Sequence, residues 1–351
     1  MNIRLTAYYD RNFGDDMMVR LAAAALGEHR LFLEQGREEF LVPFRGLDNV
    51  CFPSERQNAV YDGELRVTGS YFMVRREQHI RYIRDRGLDE RREKRHLGFK
   101  CILGCSAGPF VSLRAEHAAR FDIGNYDLIT VRDRYSYGLI KKYNKRALVH
   151  CFPDIVFSLP DDWIPAPTGE GLLGMVVHND IIAPRDNGAF ARRMAQVCDK
   201  YIEKHGRSVL LFVFDIGVEL DILCACNVKA WSKYPDMLEI VLHEDNGDHV
   251  LRQMARCGTV VSARLHGVIL ALRMGIPVLP VLYTDKTQHV LDDLGFTGKR
   301  YTVEEFVAAS VESIYEETAG AARFVLPTGI SAEAGRHFEV FRSYLEELES
   351  K

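Results

Sequence analysis

The chain has 351 residues, 47% hydrophobic and 27% charged, a composition that suits about two domains with a sizeable buried core. Its 45 Lys and Arg against 49 Asp and Glu leave a net charge of −4, so no global basic field draws it to nucleic acid. No apolar run reaches transmembrane length, and the opening MNIRLTAYYDRNFGDD carries acidic residues where a signal peptide needs an apolar core; a cytoplasmic location is expected.

Residues 2–9 (NIRLTAYY) read as a first strand. The loop Asn12-Phe13-Gly14-Asp15-Asp16 follows, then a helix over 17–26 ending at Gly27, with Asp15 or Asp16 placed to cap it. Strand-length apolar runs stand at 49–52, 65–68, 99–104, 128–131 and 147–152, separated by helical or loop segments. That alternation predicts an open α/β sheet. Residues 84–96 (RDRGLDERREKRH) mix both signs of charge and read as a solvated helix face, with contact to anionic lipid or a polyanionic acceptor as the alternative. Residues 160–171 (PDDWIPAPTGEG) hold three prolines and two glycines and form the best linker. A first α/β domain is therefore expected over 1–165 and a second over 166–326.

After the linker the alternation restarts: strand 172–178, helix 190–205, strands 208–214 and 238–242, helix 248–257 and strand 259–263. A helix with apolar spacing follows Arg264-Leu265-His266-Gly267 and closes at Gly275, and a further apolar run spans 277–283. A last helix over 332–348 is expected to pack back on the first half, so that 327–351 ties the halves together. There is no internal repeat and no low-complexity segment. The eight cysteines lie mostly within apolar runs and read as buried free thiols. Cys224-Ala225-Cys226 lacks a second pair at metal-binding spacing, which argues against zinc.

The stretch 258–286 reads as a strand–helix–strand unit of a parallel sheet, and such sheets bind ligands beyond the carboxyl ends of their strands. Arg264 and His266 fall there. A guanidinium, an imidazole and a helix N-terminus meeting at one place make an anion site. In the first half, five groups stand at strand ends: 12–16, Thr68-Gly69-Ser70, the 104–109 loop with Ser106, Arg132-Asp133 with Ser136, and Asp154. The glycines of 104–109 permit a backbone to approach a ligand closely. Taken singly, each group has a structural account as a turn, an ion pair or a cap. Together they line one edge of one sheet.

Ser262-Ala263-Arg264-Leu265-His266-Gly267, the apolar helix behind it, Gly275-Ile276-Pro277 and Tyr283-x-x-Lys286 resemble the C-terminal signature of the polysaccharide pyruvyl transferase family. Asn12-x-Gly14-Asp15, Gly69-Ser70, the 104–109 loop, Val131-Arg132-Asp133-x-x-Ser136 and Pro153-Asp154 agree with it in order. The resemblance implies two Rossmann-like domains facing a cleft, in the manner of glycosyltransferase B folds. It implies phosphoenolpyruvate as donor, a saccharide acceptor, and a pyruvate ketal bridging two hydroxyls of one sugar, in exopolysaccharide or cell-surface polysaccharide biosynthesis. Phosphoenolpyruvate would be a co-substrate, with no further cofactor and no metal.

On this resemblance His266 is the catalytic acid, and Arg264, Leu265, Gly267 and Lys286 hold the donor. Asp15 is a base for the acceptor hydroxyl or only a helix cap. Asn12, Gly14, Gly69, Ser70, Ser106 and Arg132 fall on the acceptor side. The family leads one to expect an arginine at the end of the first strand of the second domain. Val177-His178-Asn179-Asp180 stands there instead. His178 supplies the positive contact, or Arg185 reaches in, or the donor is held differently. The expected partner is a saccharide, free or lipid-linked, with peripheral membrane contact and a homo-oligomer left open and nucleic acid excluded. Two other readings stay open: a nucleotide-sugar glycosyltransferase on the same scaffold, and a non-catalytic saccharide-binding component.

Overall fold

The computed structural model describes residues 1–34, 38–55, 60–74, 76–179, 188–245 and 247–350. The first domain runs β1 (Asn2–Thr6), α1 (Phe13–Ala25), β2 (Arg30–Leu33), β3 (Val50–Cys51), β4 (Gly63–Val67), β5 (Ser70–Val74), α2 (Ile80–Lys94), β6 (Lys100–Phe110), α3 (Leu113–Ile123), β7 (Leu128–Val131), α4 (Arg134–Tyr143) and β8 (Leu148–Cys151). The second runs β9 (Leu172–Val176), α5 (Ala189–His205), β10 (Val209–Val213), α6 (Asp221–Trp231), β11 (Leu238–Leu242), α7 (Asp248–Met254), β12 (Cys257–Ser262), α8 (Leu265–Arg273), β13 (Val278–Leu282), α9 (Asp285–Asp293), β14 (Tyr301–Thr302), α10 (Val303–Ala308) and α11 (Val311–Ala319). A final helix, α12 (Ile330–Glu349), returns to the first domain.

The two sheets are parallel throughout, in the orders β3-β2-β1-β4-β6-β7-β8, with β5 pairing β6, and β11-β10-β9-β12-β13-β14. Helices cover both faces of such sheets, so most strands are buried all round and read as continuous apolar runs. Each order reverses once, between β1 and β4 and between β9 and β12. Connections leave a reversal point on opposite faces of the sheet and open a crevice at the carboxyl ends of the strands. Here the two crevices face each other: Asn12, just past β1, forms an antiparallel bridge with Asp215, just past β10.

Several boundaries differ from the sequence reading. Helix α1 starts at Phe13, because Asn12 caps it: the Asn12 Oδ1 accepts the Gly14 N–H at 3.1 Å. Asp15 and Asp16 therefore lie inside the first turn, and neither is the N-cap. The 104–109 segment is not a loop but the second half of β6, which bends rather than ends. Gly104 has φ +75°, and a Cβ there would lie 2.6 Å from Ile155 Cδ1 and 2.9 Å from Met18 Cε. Beyond the bend β6 pairs with β5, through shifts in register. β2, β5, β14 and α6 carry no distinct apolar period and were not expected.

One apolar cluster runs through both domains and includes Phe13, Phe157, Phe214, Leu270 and Phe341. α12 lies along the 155–158 turn and against β6 and β7. Phe341 meets Phe99 edge-on with ring centroids 5.8 Å apart, and His337 Nε2 donates to the Pro153 carbonyl at 2.9 Å. The first sheet also buries a charge network: Glu64 pairs with Arg4, Arg66 and Lys100, while Glu90 pairs with Arg66 and Lys100. Against the cost of burial, those cations bring the Glu64 carboxyl down to about 2.

Candidate active site

The facing crevices enclose a cavity of about 260 Å³. The first domain contributes Asp10, Asn12, Asp15, Gly69, Ser70 and Arg132; the second contributes Asp215, Glu219, Arg264, Leu265, His266 and Lys286. Residues some 250 positions apart therefore share one wall-to-wall space, as the reversal points of the sheets dictate.

His266 sits in the first turn of α8 and crosses the gap to α1. A Cβ on Gly14 would lie 1.6 Å from the His266 Nδ1, so only glycine leaves room for the ring. The side chain stays 13% exposed, with Nε2 3.7 Å from Asp154 Oδ2. Among the described residues that nitrogen has no hydrogen-bond partner. Asp154 is fully buried; it takes a bond from Arg132 Nη1 at 2.8 Å and caps the 155–158 turn through the Val156 N–H at 2.9 Å. Against burial, His266 and Arg132 hold the Asp154 carboxyl well below the usual carboxylate range.

Asp15 stands across from this ring. Burial raises its carboxyl, opposed by His266, Arg132 and the Gly69 N–H. Its neighbour Asp10 is pushed up to about 8 by burial and by Asp15, Asp215, Asp16 and Glu219. A carboxylate with a raised pKa is a better proton acceptor than an exposed one once ionised.

Arg264 is the N-cap residue of α8. Its fork grips Asp221 at both ends, Nε to Oδ2 at 2.6 Å and Nη2 to Oδ1 at 2.6 Å, and Nη2 also lies 2.5 Å from Glu219 Oε2. Both carboxylates come from the 215–221 segment (DIGVELD), which wraps around Asp215. The Asp215 Oδ1 accepts from the backbone N–H groups of Gly217, Val218 and Glu219 at 2.9–3.1 Å, and its Oδ2 accepts from Asn12 Nδ2 at 3.3 Å. Asn12 thus spends one end of its amide capping α1 and the other stitching the domains.

Lys286, in the first turn of α9, reaches across the cavity and donates to Ser70 Oγ at 2.6 Å. Arg132 lines the wall but is engaged: Nε donates to Ser106 Oγ at 2.8 Å, and its other nitrogens reach Asp154 and Ser70. A Cβ at Gly69 would lie 2.6 Å from Arg132 Nη1, so that glycine makes room for the guanidinium.

Four expected residues do not line this cavity, Gly14 among them, since the His266 ring fills the space beside it. His178 is fully buried behind Arg264, with Nδ1 3.8 Å from Asp221 Oδ1 and its ring edge-on to Tyr283 at 4.1 Å; it does not line the cavity. Arg185 lies outside the described residues. Ser106 is buried between Arg132 and Asp133 and lines a smaller cavity of about 110 Å³, so it orients Arg132 rather than facing the main space. At Gly267 a Cβ would lie 2.4 Å from Ser262 Oγ: the glycine lets α8 pack on the sheet and is not itself part of the wall. His178, Glu219 and Asp221 do bring three potential metal-ligating atoms within 4.8 Å, but Arg264 already occupies both carboxylates.

The sequence reading missed the 215–221 segment, and a signal existed. Three acidic residues follow strand 208–214 at its carboxyl end, the same location that singled out Arg264. It also missed a buried bond between the domains, Asp16 Oδ2 to His243 Nε2 at 2.7 Å. Burial raises the Asp16 carboxyl well above its ordinary value, and burial with Arg11 lowers His243 to about 3. Both directions describe a neutral acid on a neutral imidazole.

A family model described as polysaccharide pyruvyl transferase matches residues 12–285. The UDP-N-acetylglucosamine 2-epimerase of Rickettsia bellii superposes with a TM-score of 0.61 at 11% identity, covering 99% of this chain and 96% of that one. The Methanocaldococcus jannaschii UDP-GlcNAc 2-epimerase in complex with UDP-GlcNAc and UDP gives 0.61 at 9% identity, over 98% of this chain and 99% of that one. The Neisseria meningitidis enzyme bound to UDP-GlcNAc gives 0.55 at 9% identity, over 99% of each chain. At such identities the likeness is one of fold, two Rossmann-like domains around a cleft.

Proposed function

Because the chain belongs to the polysaccharide pyruvyl transferase family, we propose that it moves a pyruvyl group from phosphoenolpyruvate to a saccharide and forms a cyclic ketal. The observation that carries this reading is the meeting of His266 with Gly14 and Asp15 across one cavity, with Arg264 and Lys286 on the same wall.

Ketal transfer needs a proton on C3 of the enol, which makes C2 electrophilic. His266 protonates C3, imidazole being the side chain most often used to carry a proton to a reacting atom. An acceptor hydroxyl adds to C2 and gives its proton to Asp15. The C2–O bond to phosphorus's oxygen then breaks, and phosphate departs with the electron pair. A second hydroxyl of the same sugar closes on C2, and its proton leaves with the phosphate. Arg264, Lys286 and the free N–H groups at the start of α8 hold the donor's carboxylate and phosphate. Gly69 and Ser70 flank the acceptor. In this reading the chain acts in exopolysaccharide or cell-surface polysaccharide assembly, on a saccharide that is free or lipid-linked. Among the described residues no helix is long and apolar enough to cross a membrane.

The test is phosphate release from phosphoenolpyruvate in the presence of saccharide acceptors. His266→Ala should fold and lose about 10²-fold or more in rate, the usual worth of a positioned acid; wild-type turnover would remove the acid role. A thermal-shift comparison adds the donor: stabilisation by a nucleotide sugar, with no phosphate released from phosphoenolpyruvate, would turn the reading to a glycosyltransferase.

A further inference from the structure

Arg264 carries one positive charge and meets two carboxylates. The two are not equivalent. Asp221 is fully buried, grips the Nε–Nη2 edge at two points, and is fixed in turn by the Asn179 N–H at 3.0 Å and the Asp215 N–H at 3.1 Å. Glu219 touches only Nη2, and its side chain is 36% exposed at the cavity. Asp221 therefore orients the guanidinium. Glu219 Oε2 lies 2.5 Å from Nη2 but makes no hydrogen bond to it, so charge and not a fitted fork holds it against the guanidinium. Among the described residues Nη1 has no hydrogen-bond partner.

Charge balance sharpens the point. With both carboxylates ionised, the cluster of Arg264, Asp221 and Glu219 has a net charge of −1, so the guanidinium offers no net positive charge to the cavity. An incoming phosphate or carboxylate gains a positive partner at Arg264 when one of these two carboxylates withdraws. Glu219 is the one that can move. Its backbone is held in place by Asp215 through the Glu219 N–H at 2.9 Å, and the next residue, Leu220, has φ +54°, a conformation that L residues adopt only when their surroundings force it. The main chain is thus set, while the side chain alone spans the distance to Arg264.

We propose that the Glu219 carboxylate is an internal counter-anion, held against Nη2 of Arg264 in place of the donor's phosphate or carboxylate, so that donor entry and Glu219 departure are one exchange. The inference rests on the donor reading above for the identity of the anion, and on the geometry alone for the exchange. Glu219 then sets which donors enter: only a group anionic enough to replace it gains the guanidinium.

The experiment is calorimetric titration of the full chain with inorganic phosphate, phosphoenolpyruvate and a UDP-sugar, for the wild type, Glu219→Gln and Glu219→Ala. Both variants should bind phosphate and phosphoenolpyruvate about tenfold more tightly, as expected when one charge near a partly desolvated pair is removed. With acceptor present, KM for phosphoenolpyruvate should fall without a rise in kcat. A merely structural role would do the reverse, since a loosened segment would weaken anion binding. Unchanged or weaker phosphate binding in both variants overturns the exchange, even with phosphoenolpyruvate turned over normally. Tighter phosphate binding without turnover of phosphoenolpyruvate leaves the exchange standing and overturns the donor reading. Tightening confined to the UDP-sugar also overturns the exchange, because the displaced group would then not be the shared oxyanion.

Discussion

At Gly14 the absence of a side chain is what lets a histidine from the other domain reach the cavity. The position is helical, where alanine is ordinarily favoured over glycine by about 1 kcal/mol. Gly14→Ala should therefore leave the thermal midpoint near that of the wild type while moving the His266 ring, since the added methyl would fall 1.6 Å from Nδ1. A displacement of about 1 Å at a reacting group costs on the order of 10²-fold in rate. Phosphate release and a melting curve on the same sample check both halves, and a fully active alanine variant would contradict the placement of the ring. The sequence marked Gly14 within a loop and His266 at a helix start. Nothing in either stretch says that they touch, because the contact spans two domains. Asn12, Arg132 and Ser106 teach the same lesson in reverse. They stand where binding residues stand, yet their polar atoms are largely spent on neighbours that hold the site in shape.

At the level of elements, α1 and the end of β11 are joined by Asp16 and His243, and Phe13 packs edge-on to the same imidazole with centroids 5.3 Å apart. The ordinary values of the two groups are 3.8 and 6.5. In the native pair Asp16 keeps its proton and His243 holds none, so the pair binds one proton. Between those two values the unfolded chain also binds one, on the histidine, and stability from the pair is level with pH. Above 6.5 the unfolded chain binds none and stability falls as pH rises. Replacing the imidazole changes this. His243→Gln should cost about 2 kcal/mol, because a buried acid loses its fitted partner. It should also show stability declining with rising pH already between about 4 and 6.5, where the wild type is level, since the unfolded state no longer takes up the compensating proton. Urea midpoints across that window are the measurement, and parallel profiles would rule out the neutral pair. At this scale the sequence was informative where strands are buried on both faces, as in 128–131 and 209–213. It was uninformative where pairing depends on a distant neighbour, as in β5, whose partner is the far half of a bent β6.

For the molecule as a whole, the last helix is encoded after the second domain and completes the core of the first. Phe341 is fully buried against Phe99, and Phe338 and Leu345 are buried in the same cluster. Phe341→Ala should lower stability by about 4 kcal/mol, the usual cost of emptying such a site. It should shift a single calorimetric transition rather than split it, since one apolar cluster spans both domains; two separate transitions would show that the domains unfold independently. The sequence by itself determined the alternating α/β pattern, the family, and the placing of Arg264, His266, Gly69 and Asp15 at the ends of strands. These follow from short-range periodicity and from short motifs, which a linear chain displays directly. Tertiary structure alone decided that Asn12 caps and stitches, that His178 stands behind the wall, and that Glu219 and Asp221 share the guanidinium of Arg264. Those outcomes depend on which two sheet edges face one another and how closely they approach, and distance between elements is not written in the order of residues.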